Sequence, residues 1–384
     1  MTDTPREDLD LLIIGAGPVG LTLARALADS GLRLAVIDRR TADAALADPR
    51  ALALSHGARE LLAPLGAWPE RAATSIQTIH ISQRGGFGRS LMDRADYGLP
   101  ALGYVLRYRD LAAALRRVVP AACCLDQTTV TALEAEADGV AVDLATPAGP
   151  RHLRARLVVH AEGTPADDPA VQVRDYGQHA IIAEAEPDQP HACRAWERFT
   201  PDGPLALLPL DQGYALVFTV PAARADALMA LDDAGFLAAL NTQFGRRFAF
   251  RAVGRRDRYP LALRLRKELV GPRQVWIGNT AQTLHPVSGQ GFNLGLRDAW
   301  QLAERLCRSG GDPGDAALLA TYARQRQLDR QGGAVFTDGV VRLFSNDLPP
   351  LRRLRGLGLF ALDLLPPARH FVARRMIYGA RAWP

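Results

Sequence analysis

Residues 8–40, DLDLLIIGAGPVGLTLARALADSGLRLAVIDRR, constrain this chain more than any other stretch. The apolar run LDLLIIG, bounded by glycine, predicts a buried parallel strand. Gly15, Gly17 and Gly20 follow at G-x-G-x-x-G spacing, with Ala16 and Pro18 between them. VGLTLARALADSG carries apolar residues at helical spacing and predicts a helix capped at Gly31. LRLAVID predicts a second strand ending at Asp38, with Arg39 directly after it. Each glycine has its own duty. Gly15 permits a tight turn, Gly17 lets the backbone approach a pyrophosphate, and Gly20 lets the helix lie close to the strand. The helix start offers unpaired N–H groups and a positive dipole end to phosphates. Asp38 can accept from ribose hydroxyls. The order strand, glycines, helix, strand, acid therefore predicts a dinucleotide cofactor with a free 2′-hydroxyl. NAD and FAD meet that requirement equally.

A second stretch, GNTAQTLHPVSGQGFNLGLR at 278–297, chooses between them. RQVWIGN before it predicts another buried strand, and FNLGLRDAWQLAERL predicts a helix. The segment lies too far downstream to share the first βαβ unit. It suits the far end of a long cofactor, where a flavin ring needs donors near the atoms that gather negative charge on reduction. FAD is long enough to touch both segments.

The chain resembles the aromatic-ring flavin monooxygenases of the para-hydroxybenzoate hydroxylase type, and among them the ubiquinone-biosynthesis hydroxylases. The resemblance runs through residues 15–20, PRALALSHGARELLAPLGAW, YVLRYRDLAAAL, LVVHAEG, WERFTPDGPLALLPL and the 278–297 block. It implies an α/β (α+β two-domain) architecture: a Rossmann-like FAD-binding domain with an inserted mixed-sheet substrate domain. The FAD-binding part is expected at 1–75, 104–165 and 268–345. The substrate sheet is expected at 76–103 and 166–267, and a basic amphipathic segment at 346–384. The resemblance also implies hydroxylation of a polyprenylated methoxyphenol with NAD(P)H and O2, through a C4a-hydroperoxyflavin. A small soluble aromatic substrate, or a non-catalytic scaffold role in a quinone-biosynthesis complex, are the alternatives.

Residue roles follow the same resemblance. Arg50 matches an arginine that reaches FAD, and Arg107 a polar contact to its pyrophosphate or adenine half. Asn279 stands where most of the superfamily has Asp. An amide keeps one carbonyl acceptor for the ribityl chain. Gln290, Gly291, Phe292 and Asn293 match the loop whose backbone faces the flavin. Glu162, in HAEG, replaces the Asp of a motif tied to NAD(P)H use, and TPADDPAV follows where Ser and Arg are usual. Substrate contacts are expected from Leu205, Leu207, Pro209 and Pro286. His285 has two readings: a proton shuttle near neutral pH, or a ring that fixes the loop by hydrogen bonds. No other catalytic group and no metal cluster is defined.

The 384 residues include 48% hydrophobic and 23% charged side chains, as expected of a globular enzyme of about two domains. Net charge is +5, yet Lys267 is the only lysine and the arginines are spread along the chain. With no nucleic-acid module in view, nucleic acid is not an expected partner. Cys123, Cys124, Cys193 and Cys307 have no metal or CxxC spacing and read as reduced thiols. The start MTDTPREDLD lacks signal or transit character, so a cytoplasmic location is expected. Residues 351–384 interleave Arg with Leu, Phe and Ile. They fit peripheral contact with the inner membrane face, or equally a closing helix packed on the FAD domain.

Overall fold

The computed structural model describes residues 7–165, 168–245, 249–344 and 349–379. Parts of the TPADDPAV loop and both ends of the 346–384 segment thus lie outside the described residues. The strand Glu7–Ile14 is central to an eight-stranded sheet, with Leu34–Ile37 parallel on one side and Gly149–His160 parallel on the other. Leu11, Leu12 and Ile13 are wholly buried because both faces of this strand are covered. Leu11 and Ile13 pack with helices Pro18–Leu27 and Gln290–Ser309. Leu9 and Leu12 pack with Val140, Val142 and Leu144 of an antiparallel extension. Gln274–Trp276 joins the sheet beside Gly149–His160, so the two glycine-bearing loops leave the same edge of the sheet from strands on either side of Gly149–His160.

The first helix ends at Leu27, before the expected cap at Gly31. Both the N–H and the hydroxyl of Ser30 bond to the Leu27 carbonyl and close the helix early. Gly31, at φ 79°, serves the turn into the next strand. Residues 222–244 form two helices, Ala222–Met229 and Asp233–Phe244. Asp232 caps the second helix by accepting from Gly235 N–H at 2.8 Å.

A second sheet of nine strands is mixed. Its order is Gln282–Thr283, Asp257–Arg266, Val171–Pro187, Gly213–Pro221, Pro204–Leu210, Arg194–Phe199, Thr78–Gln83 and Arg89–Asp93, with Phe250–Val253 paired on Val171–Pro187. Arg194–Phe199 and Thr78–Gln83 run parallel; the others are antiparallel. One face of this sheet carries Leu205, Leu207, Phe218 and Ile181 against the helices at 222–244. The other face meets the first domain. There Ala195, Leu208 and Ala215 pack with Ile76 and Val105, Phe199 with Val287, and Leu263 with Leu284 and Leu294.

A short three-stranded sheet of Ala51–Ser55, Gly103–Arg107 and Thr74–Ile76 lies between the two. The 29-residue helix Ala316–Phe344 and the helices Pro349–Leu364 and Pro366–Tyr378 close the molecule. Ala373 and Ile377 of the last helix are buried, while Phe371 is exposed. No helix among the described residues is long and apolar enough to cross a membrane.

Candidate cofactor cleft and active site

A cleft of about 560 Å³ opens at the end of the strand Glu7–Ile14. Gly15, at φ 110°, turns the chain there, and a Cβ on it would lie 2.5 Å from the Ala161 carbonyl oxygen. A Cβ on Gly20 would lie 2.0 Å from the Gly15 carbonyl oxygen, so helix and turn touch backbone to backbone. Gly17 instead faces the cleft, with only the Tyr108 hydroxyl within 4 Å of where its Cβ would be. Gly17 is also the N-cap of the helix and makes no side-chain cap bond, which leaves the helix N–H groups for a ligand. Pro18 lines the same wall, while Ala16 is buried behind it.

Asp38 closes one end. It accepts from Ala16 N–H at 3.0 Å and from Arg40 N–H at 2.9 Å. Burial pushes its carboxyl up, but the Arg40 guanidinium and these N–H groups hold it below the usual carboxylate value. Arg39 and Arg50 line the cleft as well. Arg50 is held by Asp48, which accepts from its Nε at 2.9 Å, and its guanidinium lies 5.2 Å from the centre of the Tyr108 ring. At the other end stand Glu162, Asn279 and Phe292. Asn279 Nδ2 donates to Thr164 Oγ1 at 3.4 Å, linking the two loops. Its backbone carbonyl accepts from Thr283 Oγ1 at 3.4 Å, while its side-chain Oδ1 has no hydrogen-bond partner among the described residues. Glu162 lies 3.3 Å from His160 Nδ1.

Arg107 is not in the cleft. It ends its strand on the side of the second sheet, donating to Glu184 at 2.8 Å and to Asp211 at 2.5 Å. The next residue, Tyr108, starts a helix and turns the other way into the cleft. The expected cofactor contact of Arg107 is corrected accordingly. Leu52, Tyr108, Arg40, Thr128 and Thr164 are lining residues that sequence reading missed. Only Tyr108 had a local signal, its place directly after the strand.

The loop 285–293 leads into helix Gln290–Ser309, whose N-cap Gly289 is left-handed and uncapped by any side chain. Asn293 is 2% exposed. Its Oδ1 accepts from Ser55 N–H at 2.8 Å, and its Nδ2 donates to Gly289 O at 2.7 Å and Ala53 O at 3.1 Å. The side chain is thus a clamp between loop and strand. Gln290 Nε2 donates to Met376 O at 3.0 Å and ties the loop to the last helix. Gly291 packs loosely on Leu284. His285 Nδ1 accepts from Val287 N–H at 3.1 Å across the turn that holds Pro286, and its ring meets Tyr176 edge-on at 5.2 Å. Burial lowers its pKa to about 4, so the ring is neutral at pH 7 and fixes the loop. The loop-fixing reading accounts for this geometry.

Beside the loop lies a smaller apolar cavity of about 80 Å³, walled by Ile76, Ile79, Met92, Leu102, Met376 and Ile377. Gln290 and Asn293 form its polar edge. Leu205 and Leu207 do not reach it: their strand turns them to the helices behind the sheet. Pro209 shares their face by alternation. Ala206 and Leu208 take the inner face instead, so the expected substrate contacts of Leu205, Leu207 and Pro209 are corrected: these three face away from it.

Under the loop, Asp298 gathers three donors: Gly278 N–H at 2.9 Å, Gln282 Nε2 at 2.6 Å and Arg326 Nε at 2.6 Å. Arg326, fully buried, also reaches Asp329 at 3.0 Å, and Asp329 accepts from Arg297 at 2.7 Å. This buried ionic cluster fixes the turn that presents Asn279.

A glycine-turn cradle for a pyrophosphate at one end of a cleft, and an open helix start at the other, define a protein that holds a long dinucleotide cofactor. The chain belongs to the FAD binding domain family, which it matches over residues 8–332. It is similar over its whole length to the ubiquinone hydroxylase UbiL of Rhodospirillum rubrum. The two are 37% identical over 401 aligned residues, covering 100% of this chain and 93% of the relative. It is 30% identical to the 3-demethoxyubiquinol 3-hydroxylase of Escherichia coli, covering 94% of this chain and 96% of the relative. In fold it is similar to p-nitrophenol 4-monooxygenase PnpA from Pseudomonas putida. That match has a TM-score of 0.75 at 17% identity, over 97% of this chain and 98% of the other. Gly15 to Gly20, Asp38, Arg50 and Asn279 surround a space that suits FAD, because a Cβ at Gly17 would intrude on it and because no side chain caps either helix start.

Proposed function

We propose that this chain hydroxylates a polyprenylated, methoxylated phenol of ubiquinone biosynthesis, with NAD(P)H as reductant and O2 as oxygen source. The observation that carries this reading is full-length similarity to UbiL, joined to a cofactor cleft that ends beside an apolar cavity. When bound, FAD supplies electron transfer from NAD(P)H, activation of O2 and transfer of one oxygen atom. The protein's part is to bind, orient and keep water out. Gly17 would admit the pyrophosphate, Asp38 would accept from the ribose, and the Asn279 carbonyl would accept from the ribityl chain. The uncapped N–H groups of helix Gln290–Ser309 would stabilise negative charge at the ring end. Apolar walls at Ile79, Met92 and Leu102 would exclude water from the reacting ring.

A polyprenyl substrate partitions into lipid, so the enzyme needs a route from a bilayer. Ten of the fifteen large apolar side chains exposed among the described residues fall between Leu328 and Phe371. Phe336, Leu357, Phe360 and Phe371 are among them, with exposed Arg342 and Arg374 beside them in sequence or on the same helices. The last helix carries Phe371 outside, while Ala373, Met376 and Ile377 wall the apolar cavity. An anionic membrane surface is the occupant proposed for this face.

The test is direct. Purified protein should be yellow and contain FAD. Its NAD(P)H oxidation should rise with prenylated phenols and give a hydroxylated ring. A protein that takes up no FAD, or one stimulated only by small soluble aromatics, would overturn the reading.

A further inference from the structure

Glu197 is a carboxylate on the inner face of the second sheet. Its strand alternates: Trp196 and Arg198 turn to the helices behind, where Trp196 Nε1 donates to Tyr214 Oη and Arg198 Nε to Gln243 O. Ala195 and Phe199 turn to the first domain, meeting Ile76 and Val105 in one cluster and Val287 of the flavin-end loop in the other. Glu197 lies between those two on the same face. Across the strands its register partners are Ile81 and Ala206, both apolar. Val217 and Ile182 continue the face along the next strands, through the pairs Ala206 with Val217 and Val217 with Ile182.

This is an apolar wall carrying one acid. Glu197, Ala206, Val217 and Ile182 are each half-buried, so packing does not close this wall off completely. Glu197 Oε1 is nevertheless shielded from solvent and has no hydrogen-bond partner among the described residues. A buried, unsatisfied carboxylate costs stability, so its place in a site that binds a polar group is the simplest reason for it.

We propose that Glu197 receives the hydroxyl of the aromatic substrate and takes its proton as the ring binds between the sheet and the flavin-end loop. This inference rests on the function proposed above. The phenol O–H bond breaks, an O–H bond forms on the Glu197 carboxyl, and the electron pair stays on the phenolic oxygen. That oxygen then feeds electron density into the ring, which makes its ortho and para carbons better acceptors of an electrophilic oxygen atom. The proton returns to the phenolic oxygen when product leaves.

The surroundings suit the task. Burial alone pushes the Glu197 pKa up to about 8, and no charged group contributes to that shift. Tyr176 and His285 are the titratable rings in the Phe199 and Val287 cluster or in contact with it, and pKa values of about 12 and about 4 leave both neutral at pH 7. Of the charged groups there, Asp338 accepts from Tyr176 at 3.4 Å and the Arg355 guanidinium lies 5.9 Å from the centre of the Phe344 ring; neither contributes to the shift at Glu197. Arg198 points to the other face. A carboxyl poised near 8 is basic enough to take a phenol proton.

The test uses the FAD-loaded full chain and its near-isosteric Glu197→Gln variant. A prenylated phenol and its O-methyl ether are the substrates, and a prenylated nitrophenol is a chromogenic binding probe. Three results are expected. The variant keeps its FAD but loses hydroxylation about 100-fold. The rise of wild-type kcat/KM with pH, centred near 8, disappears in the variant. Difference spectra show the probe bound as nitrophenolate by the wild type and as neutral nitrophenol by Glu197→Gln. A variant that hydroxylates at the wild-type rate with the same pH profile overturns the inference and leaves the proposed function standing. A wild type that binds and hydroxylates no phenol overturns both.

Discussion

Asn293 and Ser55 are 238 residues apart in sequence, and the Ser55 N–H donates to Asn293 Oδ1 at 2.8 Å. The same amide holds Gly289 O and Ala53 O, so one side chain satisfies three backbone groups. Asn293→Ala should leave them unpaired, at about 1–3 kcal/mol for a buried group so stranded. The expected result is a lower urea midpoint and FAD that is lost on gel filtration. Retention of both at wild-type levels would show that the clamp is dispensable.

Gly17 faces the cleft with only the Tyr108 hydroxyl near its Cβ direction. Gly17→Val should therefore fold yet purify colourless, because its side chain fills the pyrophosphate approach. Asn279→Asp keeps an acceptor and should still bind FAD. Circular dichroism and the flavin absorption spectrum check the pair. A yellow Gly17→Val protein would contradict the cradle.

Two buried groups give stability opposite slopes with pH. Glu197 has its pKa raised from 4.5 to about 8, so the folded state holds the proton more tightly. Its contribution is complete below 4.5 and is lost as pH rises to 8. His285 has its pKa lowered from 6.5 to about 4, so its contribution is present above 6.5 and is lost as pH falls to 4. Between pH 6.5 and 8 only the Glu197 slope remains, with an upper bound of about 1.4 kcal/mol per unit. Chemical denaturation across that window should show wild-type stability falling and Glu197→Gln stability flatter. Parallel slopes would argue against a raised pKa.

Arg326 is fully buried and bridges Asp298 and Asp329. Arg326→Met should cost about 3–5 kcal/mol, because both carboxylates lose a buried counter-charge. Asp298 also holds Gly278 N–H and Gln282, so the variant should bind FAD more weakly than its fold loss alone predicts. Denaturant melts with and without added FAD separate the two effects.

Replacing Phe336, Phe360 and Phe371 together by Ser should abolish flotation with anionic phosphatidylglycerol vesicles. The flavin spectrum and turnover of a detergent-dispersed short-chain phenol should be unchanged. Wild-type protein that fails to float, or that binds only a partner protein, would exclude the membrane face.

The glycine cradle was legible because its chemistry is local: turn, approach and helix start all fall within residues 15–20. The turn at 286–289 and the helix start after it were legible for the same reason. Arg107 was misread because a strand's last residue and the helix residue after it point to opposite sides, and one position decides the matter. Leu205 and Leu207 were misread because PLALLPL is apolar on both faces and carries no alternation to set its phase. Glu197 looked like an ordinary charge in WERF until the register placed it on an inner wall. The Asp298 cluster joins two helices and a loop, and nothing in the local sequence around any member announces the others.

The bond from Gln290 to the Met376 carbonyl joins residues 86 apart in sequence. The loop that leads into helix Gln290–Ser309 therefore leans on the helix Pro366–Tyr378, which carries Phe371 on its outer side. Whatever lifts that helix from outside also lets go of the loop within, so the helix is a mechanical handle on the site it covers.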